Sequence, residues 1–211
     1  SISAYYIIKN RHIRFAKSSI KIALVVALIA SLFQLFTGHS SAVGVSKYQP
    51  AKLAAMEAVF DDQTNAPIYL FGWVDEDKQK VNFGVAVPGM LSYLIGFDTG
   101  TKVTGLNSFK EEDRPPVNIV FQAYHLMVAI GFALIGISLL GVFFWWRGTL
   151  FKRRWMLWIF VFSVLLPQIA NQIGWITAEV GRQPWIVYGL LRTSEGISKV
   201  VEAGQVMFSL I

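Results

Sequence analysis

Glu179 and Arg182 stand three positions apart at the end of a long apolar run. Residues 174–185, GWITAEVGRQPW, crowd a carboxylate, a guanidinium, a Pro and two Trp into one short stretch. A charged side chain within a membrane costs at least ~2.5 kcal/mol on insertion scales, so it persists where a partner, a cavity or a bound group compensates it. At this spacing the two side chains can share a helix face and neutralise each other. Gly181 and Pro184 loosen the helix at the same place and free backbone groups for another occupant. An ion pair and a bound group are therefore both open readings of these residues.

The elements that must position this pair are membrane helices. The chain has 211 residues, is 54% hydrophobic and has a mean hydropathy of +0.49, and its charges cluster between long apolar runs. Such a composition is too apolar for an ordinary soluble domain. The absence of Cys excludes disulfides, thiolate-bound zinc and iron–sulfur clusters, and leaves His, Met and carboxylates as available metal ligands. The net charge of +6 comes from basic residues flanking apolar runs, which fits the orientation rule for membrane segments and not nucleic-acid binding.

In chain order, residues 1–8 read as the tail of a spanning helix and residues 15–36 as a complete span, since about 20 apolar residues cross a hydrocarbon core. Residues 117–146 and 155–178 read as two further spans. Residues 194–203 are polar, and 204–211 begin another apolar segment. The chain starts without Met and stops within an apolar run, so it reads as a fragment of a longer protein. The expected fold is an all-α transmembrane helix bundle with a long extracytoplasmic loop. It divides into 1–37 (the end of one transmembrane helix and one complete one), 38–115 (the loop) and 116–211 (two transmembrane helices, the GRQPW segment and the start of a further helix).

Within the loop, residues 50–60, PAKLAAMEAVF, read as a short helix opened by Pro, with Leu53, Met56 and Phe60 forming an apolar stripe. Lys52 and Glu57 lie five apart on it and point at a wide angle to each other, which does not suit a simple surface pair. The segments IYLFGWV and VNFGVAVPGMLSYL read as short strand-like or irregular pieces around a charged turn. Gly131, Gly136 and Gly141 recur in the second span and permit close approach by a neighbour or a planar ligand. Pro167, Gln168, Asn171 and Gln172 make the third span polar in its middle, unlike a lipid-facing helix. The basic clusters at 9–21 and 147–154 bracket the first two complete spans on one side, which the positive-inside rule makes cytoplasmic.

AEVGRQPW resembles the GRQPW signature of subunit I of the cytochrome bd-type quinol oxidases, and three further segments resemble that subunit in the same order. SAYYIIKNRHIRFAKSS is similar to the end of its fifth helix and the start of its sixth, AKLAAMEA to its quinol-loop motif, and YHLMVAIG to the helix carrying a heme-ligating Met. The resemblance implies a terminal respiratory oxidase of a bacterial or archaeal cell membrane, multi-pass, which oxidises quinol, reduces oxygen to water and contributes to the proton gradient. It implies low-spin and high-spin heme b, with heme d or a further heme b in its place.

Carried over residue by residue, it makes Lys52 and Glu57 the catalytic quinol-loop pair, Lys52 donating to a quinol oxygen and Glu57 accepting its proton. Met127 becomes an axial ligand of the low-spin heme b and Glu179 an axial ligand of a high-spin heme. Arg182 becomes the partner of a heme propionate, with Trp185 of the signature among the heme-binding residues. His125 stands where many members carry Arg, so it serves either as a cationic propionate partner or as a hydrogen-bond donor. Considered without the resemblance, a Met on an apolar helix is more often packing than a ligand, and Lys52 and Glu57 could belong to an ordinary amphipathic surface helix.

The His partners of the hemes in that family lie in the first helices of the subunit, which this chain does not contain, so alone it is expected to bind no complete heme set. Implied partners are the remaining N-terminal part of subunit I, subunit II, quinol, oxygen, the lipid bilayer and a small accessory single-helix subunit, with no nucleic acid. The alternative is a transporter or channel component whose path is lined by Glu179, Arg182, Asn171 and Gln172.

Overall fold

A computed structural model describes residues 1–196, 201 and 203–209. The readings of 194–203 as polar and 204–211 as apolar therefore fall partly outside the described residues. The helices are α1 (Ile2–Ile8), α2 (Ile13–Tyr48), α3 (Pro50–Met56), α4 (Met90–Gly96), α5 (Val117–Trp146), α6 (Arg154–Phe162), α7 (Leu165–Val180) and α8 (Ala203–Ser209). Strands β1 (Ile68–Asp75) and β2 (Lys80–Val87) form one antiparallel hairpin, and β3 (Trp185–Val187) and β4 (Leu191–Arg192) a second. Three helical stretches, Ile13–Tyr48, Glu111–Trp146 and Arg154–Val180, are long and apolar enough to cross a membrane. The small sheets belong to the connecting segments, so the expected helical bundle with a structured loop is the observed fold.

Helix α2 runs through Gly38 and Gly44 into the polar segment and stops only at Gln49. Pro50 sets that stop, because its ring disfavours helical geometry at the residue before it, and Gln49 takes φ −141° and ψ 61°. Pro50 then opens α3, where its missing N–H costs nothing. Helix α3 ends at Met56, earlier than the apolar stripe suggests. Ala58 adopts φ +51°, and Val59 N–H reaches back to Ala54 O at 2.8 Å, a Schellman closure that turns Glu57 inward.

The third span is broken at Ser163 and Val164. Pro167 lacks an N–H and its ring crowds the carbonyl of the residue four earlier, which is Ser163. Leu166 N–H instead bonds Ser163 O at 3.2 Å.

Two cores hold the bundle at its opposite ends. One packs α3, the loop and the first turns of α5 around Leu53, Leu91, Leu106 and Phe121; the other packs α1, α2 and α6 around Leu24, Leu150, Met156 and Leu157. Each fully buried Leu or Phe contributes about 1.5–3 kcal/mol. Of the three glycines on α5, Gly141 alone meets close neighbours: a Cβ there would lie 2.7 Å from Leu24 and 2.8 Å from Phe160, so its absence lets three helices converge. Gly131 and Gly136 face open space.

Candidate functional site

The loop is fastened to the end of the bundle by contacts distant in sequence. Lys52 reaches across to donate to Ala178 O at 3.2 Å, satisfying a carbonyl in the last turn of α7. Its stem lies over Gly181, where a Cβ would stand 3.2 Å from the Lys52 side chain. Burial lowers the Lys52 pKa; the Glu179 carboxylate opposes that shift and the Arg182 guanidinium adds to it. The structure thus gathers Lys52, Glu179 and Arg182 at one helix end.

Glu57, at the other end of α3, is 2% exposed and sits in the loop core. Burial pushes its pKa up to about 8, against the opposing pull of the Tyr124 phenol beside it. Its Oε2 has no hydrogen-bond partner among the described residues. A carboxyl in that state is a base matched to near-neutral operation. Tyr124 is a site residue that sequence reasoning missed. The available signal was its place on the apolar stripe of α5 that includes Val117, Val120 and Phe121.

Three neighbouring residues of α5 point three ways. Tyr124 faces α3. His125 has both ring nitrogens engaged, Nδ1 with Phe121 O at 2.8 Å and Nε2 with Tyr69 O at 2.7 Å, and its ring stacks on Phe121. Met127 turns to α7, where its sulfur would stand 3.0 Å from a Cβ on Gly174. His125 and Met127 therefore serve different faces, as expected for residues two apart on a helix.

The hairpin lies along α5 on the His125 side. Glu76 Oε1 accepts from Asn118 N–H at 2.8 Å, capping the first turn where the helix dipole favours a carboxylate. Gln122 Nε2 donates to Gly72 O at 2.7 Å.

Glu179 and Arg182 form an ion pair on one face of the helix end, and Arg182 also donates to Ile186 O at 3.3 Å. Both side chains are partly exposed, so the pair alone is worth about 0–1 kcal/mol. Arg182 Nε is buried without a partner among the described residues. Trp185 begins β3, with the Arg192 guanidinium 5.1 Å from its ring centroid, and Arg192 is tied to Asp113 at 2.5 Å. Burial raises the Tyr188 pKa, and the Ala51 backbone at the start of α3 opposes that shift.

The residues present fit a heme on chemical grounds. Met127 offers a soft thioether, and Glu179 offers a carboxylate oxygen. The unsatisfied Arg182 Nε suits an anionic propionate. Gly174 leaves no side chain over the Met127 sulfur, and Gly131 leaves room on the Met127 side of α5.

These features define a multi-helix membrane protein whose loop brings Lys52 to the helix end that carries Glu179 and Arg182. The profile of the family "Cytochrome bd terminal oxidase subunit I" matches residues 1–211, and the chain belongs to that family. It is 36% identical to the putative cytochrome bd menaquinol oxidase subunit I of Bacillus subtilis (strain 168), across 97% of this chain and 47% of the relative. It is 26% identical to the cytochrome bd-II ubiquinol oxidase subunit 1 of Escherichia coli (strain K12), across 100% of this chain and 54% of the relative. Among solved structures, the bd oxidase from Geobacillus thermodenitrificans matches with a TM-score of 0.84 and 32% identity, over 99% of this chain and 49% of that one. The chain thus spans about half the length of the relatives it matches. None of these relatives is a transporter or channel.

Proposed function

We propose that the chain is the part of an oxidase subunit I that takes quinol at its loop and passes the electrons through hemes to oxygen, which is reduced to water. The observation that carries the reading is the placement of α3. It presents Lys52 to the end of α7 beside Glu179, and Glu57 to α5 one turn before Met127. Quinol is lipophilic and must lose protons as it loses electrons. The Glu57 carboxylate accepts the proton of a quinol hydroxyl, and the Lys52 ammonium donates a hydrogen bond to a quinol oxygen.

Bound heme supplies the electron transfer and oxygen chemistry. Met127 would hold the low-spin heme b, and Glu179 a high-spin heme, either heme b or heme d. Arg182 would pair with a propionate through its unpartnered Nε, and Trp185 braces the segment that carries Arg182. His125, with both nitrogens taken, holds the hairpin in place.

The remaining heme ligands come from the rest of subunit I, and subunit II and a small accessory single-helix subunit complete the complex. Residues 38–115 act as the quinol-binding unit on the outer face of the cell membrane, opposite the basic clusters, so that protons released there add to the gradient.

The test compares two electron donors across pH in the intact complex. With quinol, the parent rate is expected to rise as pH passes through about 8, where Glu57 becomes a base. Glu57→Gln should abolish that rise and slow quinol oxidation at least ~100-fold, the lower range for a general base. Oxygen reduction driven by an artificial donor that bypasses the loop should be unchanged. Equal slowing with both donors would reduce Glu57 to a structural role.

A further inference from the structure

The β1–β2 hairpin exposes an apolar shoulder that neither the loop core nor the proposed chemistry uses. Leu70, Phe71, Trp73 and Val85 are exposed, and Phe83 is 93% exposed. Phe83 also holds φ +53°, a left-handed conformation that a bulky side chain rarely adopts and that marks a constrained position. Two glycines make room for this bulged shape. A Cβ on Gly72 would lie 2.3 Å from Val81, and one on Gly84 would lie 2.8 Å from the Tyr69 ring. Its tip carries Asp75, Glu76, Asp77, Lys78 and Lys80, so charge is confined to one end.

Where this shoulder sits follows from its attachment to α5. Asn118, Gln122 and His125 bind Glu76, Gly72 and Tyr69, so the charged tip lies at the start of α5 and the hairpin base lies deeper along it. A hydrocarbon core takes about 20 helical residues, and counting back from the interfacial Trp145 reaches His125. The hairpin base therefore stands level with the edge of the hydrocarbon.

Its direction follows from helical geometry. At about 100° per residue, Asn118, Gln122 and His125 fall within about 60° of one another, and Met127 lies about 180° from Asn118. Phe132, Leu139, Leu140 and Phe143, all exposed, fall on the hairpin side of α5. The exposed polar residues Gln168, Asn171 and Gln172 belong to α7, which packs on the opposite side. A purely apolar exposed stripe in a spanning helix meets lipid, whereas polar side chains there meet protein, cofactor or water.

We infer that the β1–β2 hairpin is a lipid-contacting element that seats Leu70, Phe71, Trp73, Phe83 and Val85 in the interfacial layer of the loop-side leaflet, continuing the lipid-facing stripe of α5. The aromatic side chains suit that layer, and the charged tip remains in water. This inference is independent of whether the loop binds quinol.

The test places a nitroxide on Phe83→Cys in the intact complex, reconstituted in phosphatidylcholine–phosphatidylglycerol nanodiscs. This chain has no Cys of its own, and the labelled parent complex supplies the background. Lipid contact predicts that oxygen relaxes the label several-fold more effectively than a water-soluble nickel chelate. Dominant relaxation by the chelate would place the hairpin in water, and protection from both would place it under protein; either overturns the inference. A second measurement does not use that variant. The emission lost in Trp73→Phe should be quenched by lipids brominated near the headgroup and spared by iodide, and the reverse pattern, or quenching by neither, would also overturn it.

Discussion

Glu179→Gln is expected to remove the normal signal of one high-spin heme and to lower oxygen reduction at least ~100-fold, the upper end of what loss of a mere outer-shell partner costs. The ion pair with Arg182 provides the competing explanation, and the two can be separated. If Glu179 only neutralises Arg182, the single replacement strands a cation, and adding Arg182→Gln recovers the lost stability because no isolated charge remains. A partly exposed pair is worth about 0–1 kcal/mol, too little to account for loss of a cofactor. If Glu179 ligates iron, neutralising its neighbour restores no oxygen ligand, so the double replacement should be as defective as the single one. Intact heme signals in Glu179→Gln, or rescue by the second replacement, would leave the pair as an electrostatic cap on α7 and nothing more.

Met127→Leu is the second large effect. Leu matches Met closely in volume and apolar character, so the contact with α7 at Gly174 should survive and the complex should assemble. The thioether is lost. The low-spin heme should therefore become high-spin or shift its potential, because axial ligand identity is a principal control of both. Electron flow from quinol to oxygen should fall in proportion, while the other hemes keep their spectra. An unchanged low-spin spectrum would make Met127 a packing residue.

What the sequence disclosed was set by local rules. The spans follow from apolar length, the charged turn between strand-like segments from composition, and the Glu179–Arg182 pairing from helical spacing. The break in the third span is also local, since Pro167 acts on the turn before it, at Ser163 and Val164. The extension of α2 to Tyr48 was harder to see, because Gly and Ser in a long helix lower its propensity without ending it, and only Pro50 imposes a stop.

The site itself was less visible because its contacts are distant in sequence. Lys52 meets Ala178, and His125 meets Tyr69. Glu57 read equally well as a surface residue because its neighbour Tyr124 lies in another helix. Lys52 and Glu57 point apart, as their spacing implied, but spacing could not say that one reaches α7 and the other enters a core.

Quinol is expected to deliver electrons to hemes held by this chain and its partners. An anaerobic reduced-minus-oxidised absorption spectrum of the intact complex, recorded after adding quinol as the only reductant, tests it most directly. The expected result is reduced low-spin heme b together with high-spin heme bands, and restoration of the oxidised spectrum when oxygen is admitted. Absence of heme bands, or hemes that a strong chemical reductant reduces and quinol does not, would contradict it.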